Sequence, residues 1–574
     1  MSTNTDSAKS TAAIRQAQPR STAQVRLSDG RVFEGPVGTA LAAFIEAAYP
    51  SPAEHPIVAA LVDDELEELT YPVNNDIAVV PVDTRSTDGL RIYQRSLVFV
   101  LVVAARELFP EALIRIDHSV TLGGFYCQVL GRERFAPAEL DAIAERMRAI
   151  IAANEPIERI VLPTIEAQRL FDAQGYDDKV RLLAYREASE VAVYRLRGVL
   201  DYFYGYMVPR TGMLNGFELT DYAPGMILRL TSDSYQLPLH SHREYPKLMS
   251  VFREYGEWLR ILGIEDVGSL NQAADRDGLR MAVLLSEALH EKRLAEVADE
   301  IAARPEVRVV LVAGPSSSGK TTFAKRLAVH LMVNGARPFP IGLDDYFVDR
   351  ERTPRDSTGA LDFESLDAID RELLVEQLLA LMDGQEVTLR HYDFGRGRNE
   401  PGRTVRLPPE TVLVVEGIHG LNPQLAEGLP PERVFRIYAS ALTQLNLDHH
   451  NRVSTTDTRL LRRIVRDARD RNYTPQETIA RWPSVRRGEE RNIFPYQENA
   501  DVMFNTALVY ELSVLKPFAE PLLRTVPHGT MEWVEAQRLL SFLRWFRPCD
   551  ATLVPMTSLL REFIGGSSLT DLAL

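Results

Sequence analysis

Cysteine is nearly absent from this 574-residue chain, Cys127 and Cys549 being its only two. A pair so far apart builds neither a disulfide framework nor a cysteine-based zinc site, and such scarcity fits a reducing compartment. A cytoplasmic location is the expectation. Long apolar runs are also missing. The longest, Leu97 to Ala105, is about half of the roughly 20 residues that a bilayer span needs, so no membrane role is expected. Residues 1 to about 20 hold no continuous apolar segment of the kind a secretory signal requires, and an organelle transit peptide is disfavoured. Positive charge is in deficit: 65 Lys and Arg face 80 Asp and Glu, a net charge of −15 that repels polyphosphate backbones unless a local basic patch offsets it. Hydrophobic residues make up 45% of the chain, enough for buried cores in three or four folded units.

Residues 1–22 are rich in Ser, Thr, Ala and Gln with almost nothing to bury, and a disordered tail is expected there. Residues 23–84 read as a small α+β unit with a ubiquitin-like order of elements. AQVRLSDGRVFEG forms a hairpin around Asp29-Gly30, and a helix follows from Ala40 to Ala48. A second unit spans 85–231. It should contain a helix from Ser96 to Phe109, strands from Ala112 to His118 and from Phe125 to Leu130 about the Gly123-Gly124 turn, and a helix from about Pro137 to Asn154. Residues 232–304 have helical apolar spacing and read as a helical connector, with Phe252, Tyr255 and Trp258 on its buried side. An α/β unit follows over 305–515, and a helical segment that packs through Trp533 to Trp545 closes the chain over 516–574.

Val307 to Ala313 is a β-branched apolar run typical of a strand buried on both faces of a parallel sheet. It leads into Gly314-Pro-Ser-Ser-Ser-Gly-Lys-Thr-Thr322, which fits the P-loop pattern, and the helix-like stretch Phe323 to Val333 comes next. Glycines at 314 and 319 let the backbone curl so that the N–H groups of Ser316, Ser317, Ser318, Lys320, Thr321 and Thr322 converge on phosphate oxygens at a helix N-terminus. In that pattern Lys320 reaches the β- and γ-phosphates of ATP, and the Thr321 hydroxyl ligates Mg²⁺. A second buried strand, Thr411 to Val415, ends in Glu416, placed to hold the metal or its water. A third, Phe339 to Leu343, ends in Asp344 and Asp345, either of which could accept the proton of an attacking hydroxyl. Between Arg459 and Arg491 there are ten arginines, no lysine and five acids, a basic island in an acidic chain. Arg459, Arg462, Arg463, Arg466 and Arg469 recur at helical spacing opposite Leu460, Leu461, Ile464 and Val465. With Arg471 they read as a lid that closes over phosphates and excludes water. His240 with His242, and His449 with His450, lack a third ligand at a recognisable spacing and read as loop or packing residues.

Together, GPSSSGKTT at 314–322, LDDYF at 343–347, DFESLDAID at 362–370, YDF at 392–394, VVEGIHGL at 414–421 and TDTRLLRRIVRD at 456–467 resemble the uridine kinase and phosphoribulokinase group of P-loop kinases. The resemblance implies an α/β fold with a parallel sheet and a helical lid, and an ATP- and Mg²⁺-dependent transfer to an alcohol. It implies Asp344 as general base on a nucleoside 5′-hydroxyl and Glu364 as the acid binding ribose hydroxyls. It further implies Tyr392 against the base, with Arg459 and Arg462 holding substrate and phosphates. Uridine or cytidine is the implied acceptor. A sugar phosphate or purine nucleoside remains the alternative, because Gly395 to Arg398 stand where the family places a pyrimidine-reading histidine.

Residues 23–84 are similar to a TGS domain, and 89 to about 230 resemble the N-terminal region of threonyl-tRNA synthetase through GLRIYQRSLVFVLVVAARELFP and GGFYCQV. Arg95 and Phe99 stand where that region has its HxxxH pair, and DYFYGYMVPRTG at 201–212 has neither Cys nor His, so its editing chemistry is not expected. An RNA-associated, nucleotide-switched regulator is the reading from another class. It is disfavoured because residues 21–230 carry 20 basic against 30 acidic side chains. The sequence leaves self-association open.

Overall fold

A computed structural model describes residues 19–50, 55–120, 123–230, 245–356 and 359–570. Most of the expected tail and the His240/His242 pair lie outside these residues. The first sheet is five-stranded and mixed. Thr22–Leu27 pairs antiparallel with Val32–Pro36 across the Asp29-Gly30 turn, and parallel with Ile77–Asp83. Gly30 sits there at φ +87°, a conformation most L-residues avoid. The next helix starts earlier than apolar spacing suggests, at Thr87 rather than Ser96, because the Ser86 side chain caps it by accepting the Gly89 N–H. It packs with Pro137–Ala152 on a four-stranded antiparallel sheet that contains Leu113–Ser119 and Phe125–Leu130.

In the C-terminal half, five parallel strands make the sheet that carries the chemistry: β1 (Val309–Ala313), β2 (Pro338–Gly342), β3 (Val412–Glu416), β4 (Val434–Ser440) and β5 (Val502–Asn505), in the order β2-β3-β1-β4-β5. Every residue of β1 is buried, so its valines each contribute roughly 1.5–3 kcal/mol of apolar burial. This explains why a central parallel strand is written without polar alternation. The P-loop leaves β1 and enters helix α1 (Lys320–Val333). Two more helices, α2 (Thr455–Asp470) and α3 (Pro475–Asn492), rise beside the loop. An antiparallel hairpin, Glu386–Asp393 with Arg398–Arg406, flanks the β2 side.

The expected connector is no spacer. Helices Pro246–Leu262 and Arg280–Ala302 pack on the parallel-sheet unit that follows, whereas Val267–Asp277 packs against Asp177–Leu183 of the preceding unit, with Arg181 paired to Asp266 (2.6 Å). Tyr255 donates to the Asn505 carbonyl at the end of β5 (3.1 Å), and Glu291 pairs with Arg326 of α1 (2.9 Å). Amphipathic helices bury their apolar stripe on whatever apolar face is nearest, and here those faces belong to the units on both sides of the connector. Phe252 and Tyr255 are buried as expected of core. Among the described residues no helix is long and apolar enough to cross a membrane.

Candidate active site

The loop is held from behind by its carbonyls. Arg459 Nε donates to the Ser316 carbonyl (2.9 Å), Arg462 Nη1 reaches those of Ser317 and Ser318 (3.4 and 3.3 Å), and the Thr506 hydroxyl bonds the latter as well. Carbonyls drawn outward turn the amides inward. Ser317 at φ +57° and Gly319 at φ +89° complete the curl, forming a concave nest for an anion. A Cβ at Gly314 would lie 1.9 Å from the Ala439 carbonyl oxygen of β4, a backbone atom that cannot yield. Gly314→Ala is therefore expected to displace the loop, to cost about 1–3 kcal/mol by overpacking, and to abolish the heat of ATP binding in calorimetry.

Three acids gather in front of the loop. Glu416 ends β3 and accepts from the Thr321 hydroxyl (3.3 Å), with Lys320 Nζ 4.0 Å from its other oxygen. Lys320 itself donates to the Pro315 carbonyl (3.1 Å). Burial raises the Glu416 carboxyl to about 7 against the pull of Lys320, with the charges of Asp344 and Glu562 adding to the rise. Glu364 is also raised to about 7, by burial first and then by Glu489, and one of its oxygens is buried without a partner. Gly488 of α3 lies against it, so close that a Cβ there would come within 2.3 Å of the Glu364 Cβ. Asp344 sits in the 3-10 turn Leu343–Tyr346 that follows β2. Its carboxyl is likewise raised by the surrounding protein, opposed by Lys320, Arg471 and Arg466. The neighbouring Asp345 is engaged elsewhere, accepting from His391 Nδ1 (3.1 Å) and the Tyr392 N–H (3.3 Å). Between the two candidates, Asp344 is the one whose carboxyl is influenced by the charge of the loop lysine.

These shifts have a stability consequence. Carboxyls whose folded values lie above their ordinary 4.5 bind more protons folded than unfolded, so their contribution is complete below 4.5 and is lost as pH rises through about 7. Urea midpoints of the nucleotide-free protein should fall between about pH 5 and pH 8, and Glu416→Gln or Glu364→Gln should flatten that slope.

The arginines expected to form a lid over the phosphates do not all face one cleft. Arg459 and Arg462 are 1% and 0% exposed, although the spacing sets them opposite the leucines. Helix α2 is packed on both sides, against the loop and against the helix Glu511–Leu523, so its early turns have no free face. Arg459 is ion-paired with Glu489, and Arg462 Nη2 with Glu511 (2.6 Å). Their guanidinium groups are engaged with protein partners, so both brace the loop instead of facing a substrate. Arg463, Arg466 and Arg471 are the ones turned toward the acids. They share Asp467 at 3.2, 2.9 and 3.7 Å, and Arg463 Nη1 also reaches the Ser316 hydroxyl (2.9 Å). Arg469 points elsewhere, to the carbonyls of Phe563 and Glu562 (2.6 and 3.0 Å).

Tyr392 is 1% exposed and its ring packs in the core edge-on to Phe347 and Phe394 (5.6 and 5.0 Å between centroids). The hairpin ladder shifts register between Thr388 and Arg390, and Tyr392 turns inward after that shift. The aromatic open to a flat ligand is Phe394, 57% exposed. Sequence reasoning missed Phe394, although it is the last letter of YDF. It also missed Glu489, whose carboxylate accepts the Ser316 N–H (3.1 Å), and Glu562, which accepts the Thr322 N–H (3.0 Å). Nothing local in the sequence marks an acid 240 residues away in the chain as a neighbour of the loop. In the synthetase-like unit, Arg95 is half-buried and donates to the Tyr206 carbonyl, and Phe99 is in the core. His450 bonds Asp201 (2.6 Å), and His449 lies beside Asp178.

A nucleotide phosphate and a divalent cation fit these residues. The nest already receives carboxylate oxygens on two of its amides, and the buried hydroxyls of Ser317 and Ser318 are without partners. A parallel sheet with a loop of this kind after its central strand defines a P-loop α/β protein. The model of the Phosphoribulokinase / Uridine kinase family matches residues 309–512, and this segment is a domain of that family. The N-terminal region matches threonine–tRNA ligases. That of Coxiella burnetii is 32% identical over 200 residues, and that of an Acidovorax species 34% over 198, covering 35% and 34% of this chain. The chain spans 30% of the length of either relative. Among solved structures, one described as a possible uridine kinase from Bacillus stearothermophilus is 21% identical with a TM-score of 0.26, covering 37% of this chain and 98% of that one. D-glycerate 3-kinase from Cryptococcus neoformans is 15% identical with a TM-score of 0.20, covering 48% and 87%.

Proposed function

We propose that this protein is a kinase that transfers the γ-phosphoryl group of ATP, with Mg²⁺, to the 5′-hydroxyl of a nucleoside, uridine or cytidine first. The observation that carries the proposal is the Asp344 carboxylate in the turn that follows β2, within the charge influence of Lys320 of the loop, while Asp345 is tied to the hairpin. The inward amides of Ser316 to Thr322 and the Lys320 ammonium hold the phosphates, and Thr321 and Glu416 hold the metal. Bound ATP supplies the phosphoryl group, and magnesium neutralises part of its charge. Asp344 accepts the proton of the acceptor hydroxyl. Arg463, Arg466 and Arg471, gathered by Asp467, offset the negative charge that gathers there and close the cleft to water. Glu364 accepts from the sugar hydroxyls, and the exposed Phe394 offers aromatic surface for a base. The TGS-like and synthetase-like units serve as a scaffold on this reading, with RNA contact disfavoured by their acidity.

A panel of nucleosides and sugar phosphates with labelled ATP tests the proposal. Transfer to uridine or cytidine is expected. Transfer to a sugar phosphate alone would move the acceptor class, and silence with every nucleoside would reject the reading. Salt-dependent tRNA binding would speak for the regulator instead.

A further inference from the structure

The first turn of α1 leaves three amides without helical partners, those of Lys320, Thr321 and Thr322, since the Phe323 N–H already bonds the Gly319 carbonyl (3.0 Å). Such amides are where a helix N-terminus receives an anion. Here one is taken. The Glu562 carboxylate, from the short helix Arg561–Ile564, accepts the Thr322 N–H at 3.0 Å. The surrounding segment is strapped down on both sides of the loop. Leu559 lies against Gly319, so near that a Cβ there would come within 1.9 Å of its Cδ2. Phe563 sits under the Arg462 guanidinium at 5.0 Å, and Arg469 of α2 holds the carbonyls of Glu562 and Phe563. Farther along, Lys325 of α1 holds those of Leu569 and Thr570 (2.9 and 3.1 Å).

We propose that the C-terminal strap is a built-in competitor of the nucleotide: Glu562 occupies a loop amide as a phosphate stand-in and must withdraw when a triphosphate enters. The proposal rests on the reading of the loop as a nucleotide site. Two like charges cannot share one amide, and the Glu562 charge also acts on Glu416, the residue offered to the metal. Nucleotide affinity is then set partly by the strap, because the competent state is the one with Glu562 out. Arg469 links that state to α2, since the helix whose arginines border the acids also holds the strap backbone.

The test uses the full chain. Binding of Mg·ADP and of inorganic pyrophosphate is measured by calorimetry, alongside urea unfolding without ligand. Glu562→Gln should bind both about tenfold more tightly, as expected when a competing state is removed, and should unfold at lower urea without ligand because the helix terminus loses its anion. A merely structural Glu562 would lower stability and affinity together. Lys325→Gln provides an independent arm. Deleting a positive charge from α1 would by itself weaken phosphate binding, whereas loosening the strap should strengthen it severalfold. Unchanged or weaker binding in both variants overturns the proposal while leaving the nucleotide site standing. Absence of binding in the parent and both variants overturns the nucleotide site as well.

Discussion

Asp344→Asn is expected to lower turnover at least about a hundredfold, the scale of losing a general base, while ATP binding persists. The amide has the shape of the carboxyl but cannot take a proton from the acceptor hydroxyl. The loop amides, Lys320 and the bracing arginines are unaffected by it, so calorimetry with Mg·ATP should match the parent. The raised carboxyl of Asp344 gives a second signature. The protein around it disfavours its charge, so in the parent turnover should climb as pH rises and the group ionises, and this limb should vanish in the variant. Asp345→Asn is the control. That carboxylate serves the hairpin through His391 and Tyr392, so its loss should raise acceptor KM more than it lowers kcat. Near-parental turnover by Asp344→Asn would remove the residue from the reaction.

The second large effect lies far from the loop. Lys179 is fully buried, 3.0 Å from Asp201 and 3.2 Å from Asp448, with its ammonium also donating to the Tyr202 carbonyl (3.3 Å). Asp201 belongs to the synthetase-like unit and Asp448 to the segment after β4, so this one cation joins the two halves of the molecule. Against its burial, His450 and Lys179 hold the Asp201 carboxyl down at about 2. Lys179→Met leaves two carboxylates in a dry interior with one cation fewer, and should cost roughly 3–5 kcal/mol in urea unfolding. Stability drawn from a depressed carboxyl is present above its ordinary 3.8 and disappears as pH falls through about 2. With Lys179 gone Asp201 can protonate, so the deficit of the variant should be larger at pH 7 than near pH 4. Lys179→Met with Asp201→Asn should recover part of the loss. Asp448 also accepts from the backbones of His450 and Asn451, three residues short of the Ser454 cap that starts α2. Loosening the hub should therefore also weaken nucleotide binding, through the helix that braces the loop.

Much of the fold was legible wherever local chemistry repeats. The hairpin at Asp29-Gly30, the strands β1 to β3 and the P-loop follow from turn residues, β-branched runs and glycine spacing. The helix at Thr87 was misplaced because its start depends on the single hydroxyl of Ser86, a weaker signal than the apolar run beyond it. Strands β4 and β5 and the hairpin over 386–406 went unmarked: β4 is interior but Arg436 interrupts its apolar run, β5 is a four-residue edge strand, and the hairpin strands are largely exposed. The arginine stripe was visible, but its division was not. Arg459 and Arg462 turn to carbonyls and buried acids, and Arg463, Arg466 and Arg471 to the cleft, because α2 is enclosed for half of its length.

By itself the sequence determined the identity of the loop, the strands that frame it and the acids that end them, since each is a short-range matter of residue type and spacing. Only the tertiary structure decided which groups meet. It tied Asp345 to the hairpin, turned Tyr392 into core, and laid Glu562 on the Thr322 amide. The physical reason is that a hydrogen bond or a charge depends on distance and burial in space, and chain position carries neither once the intervening residues have folded between.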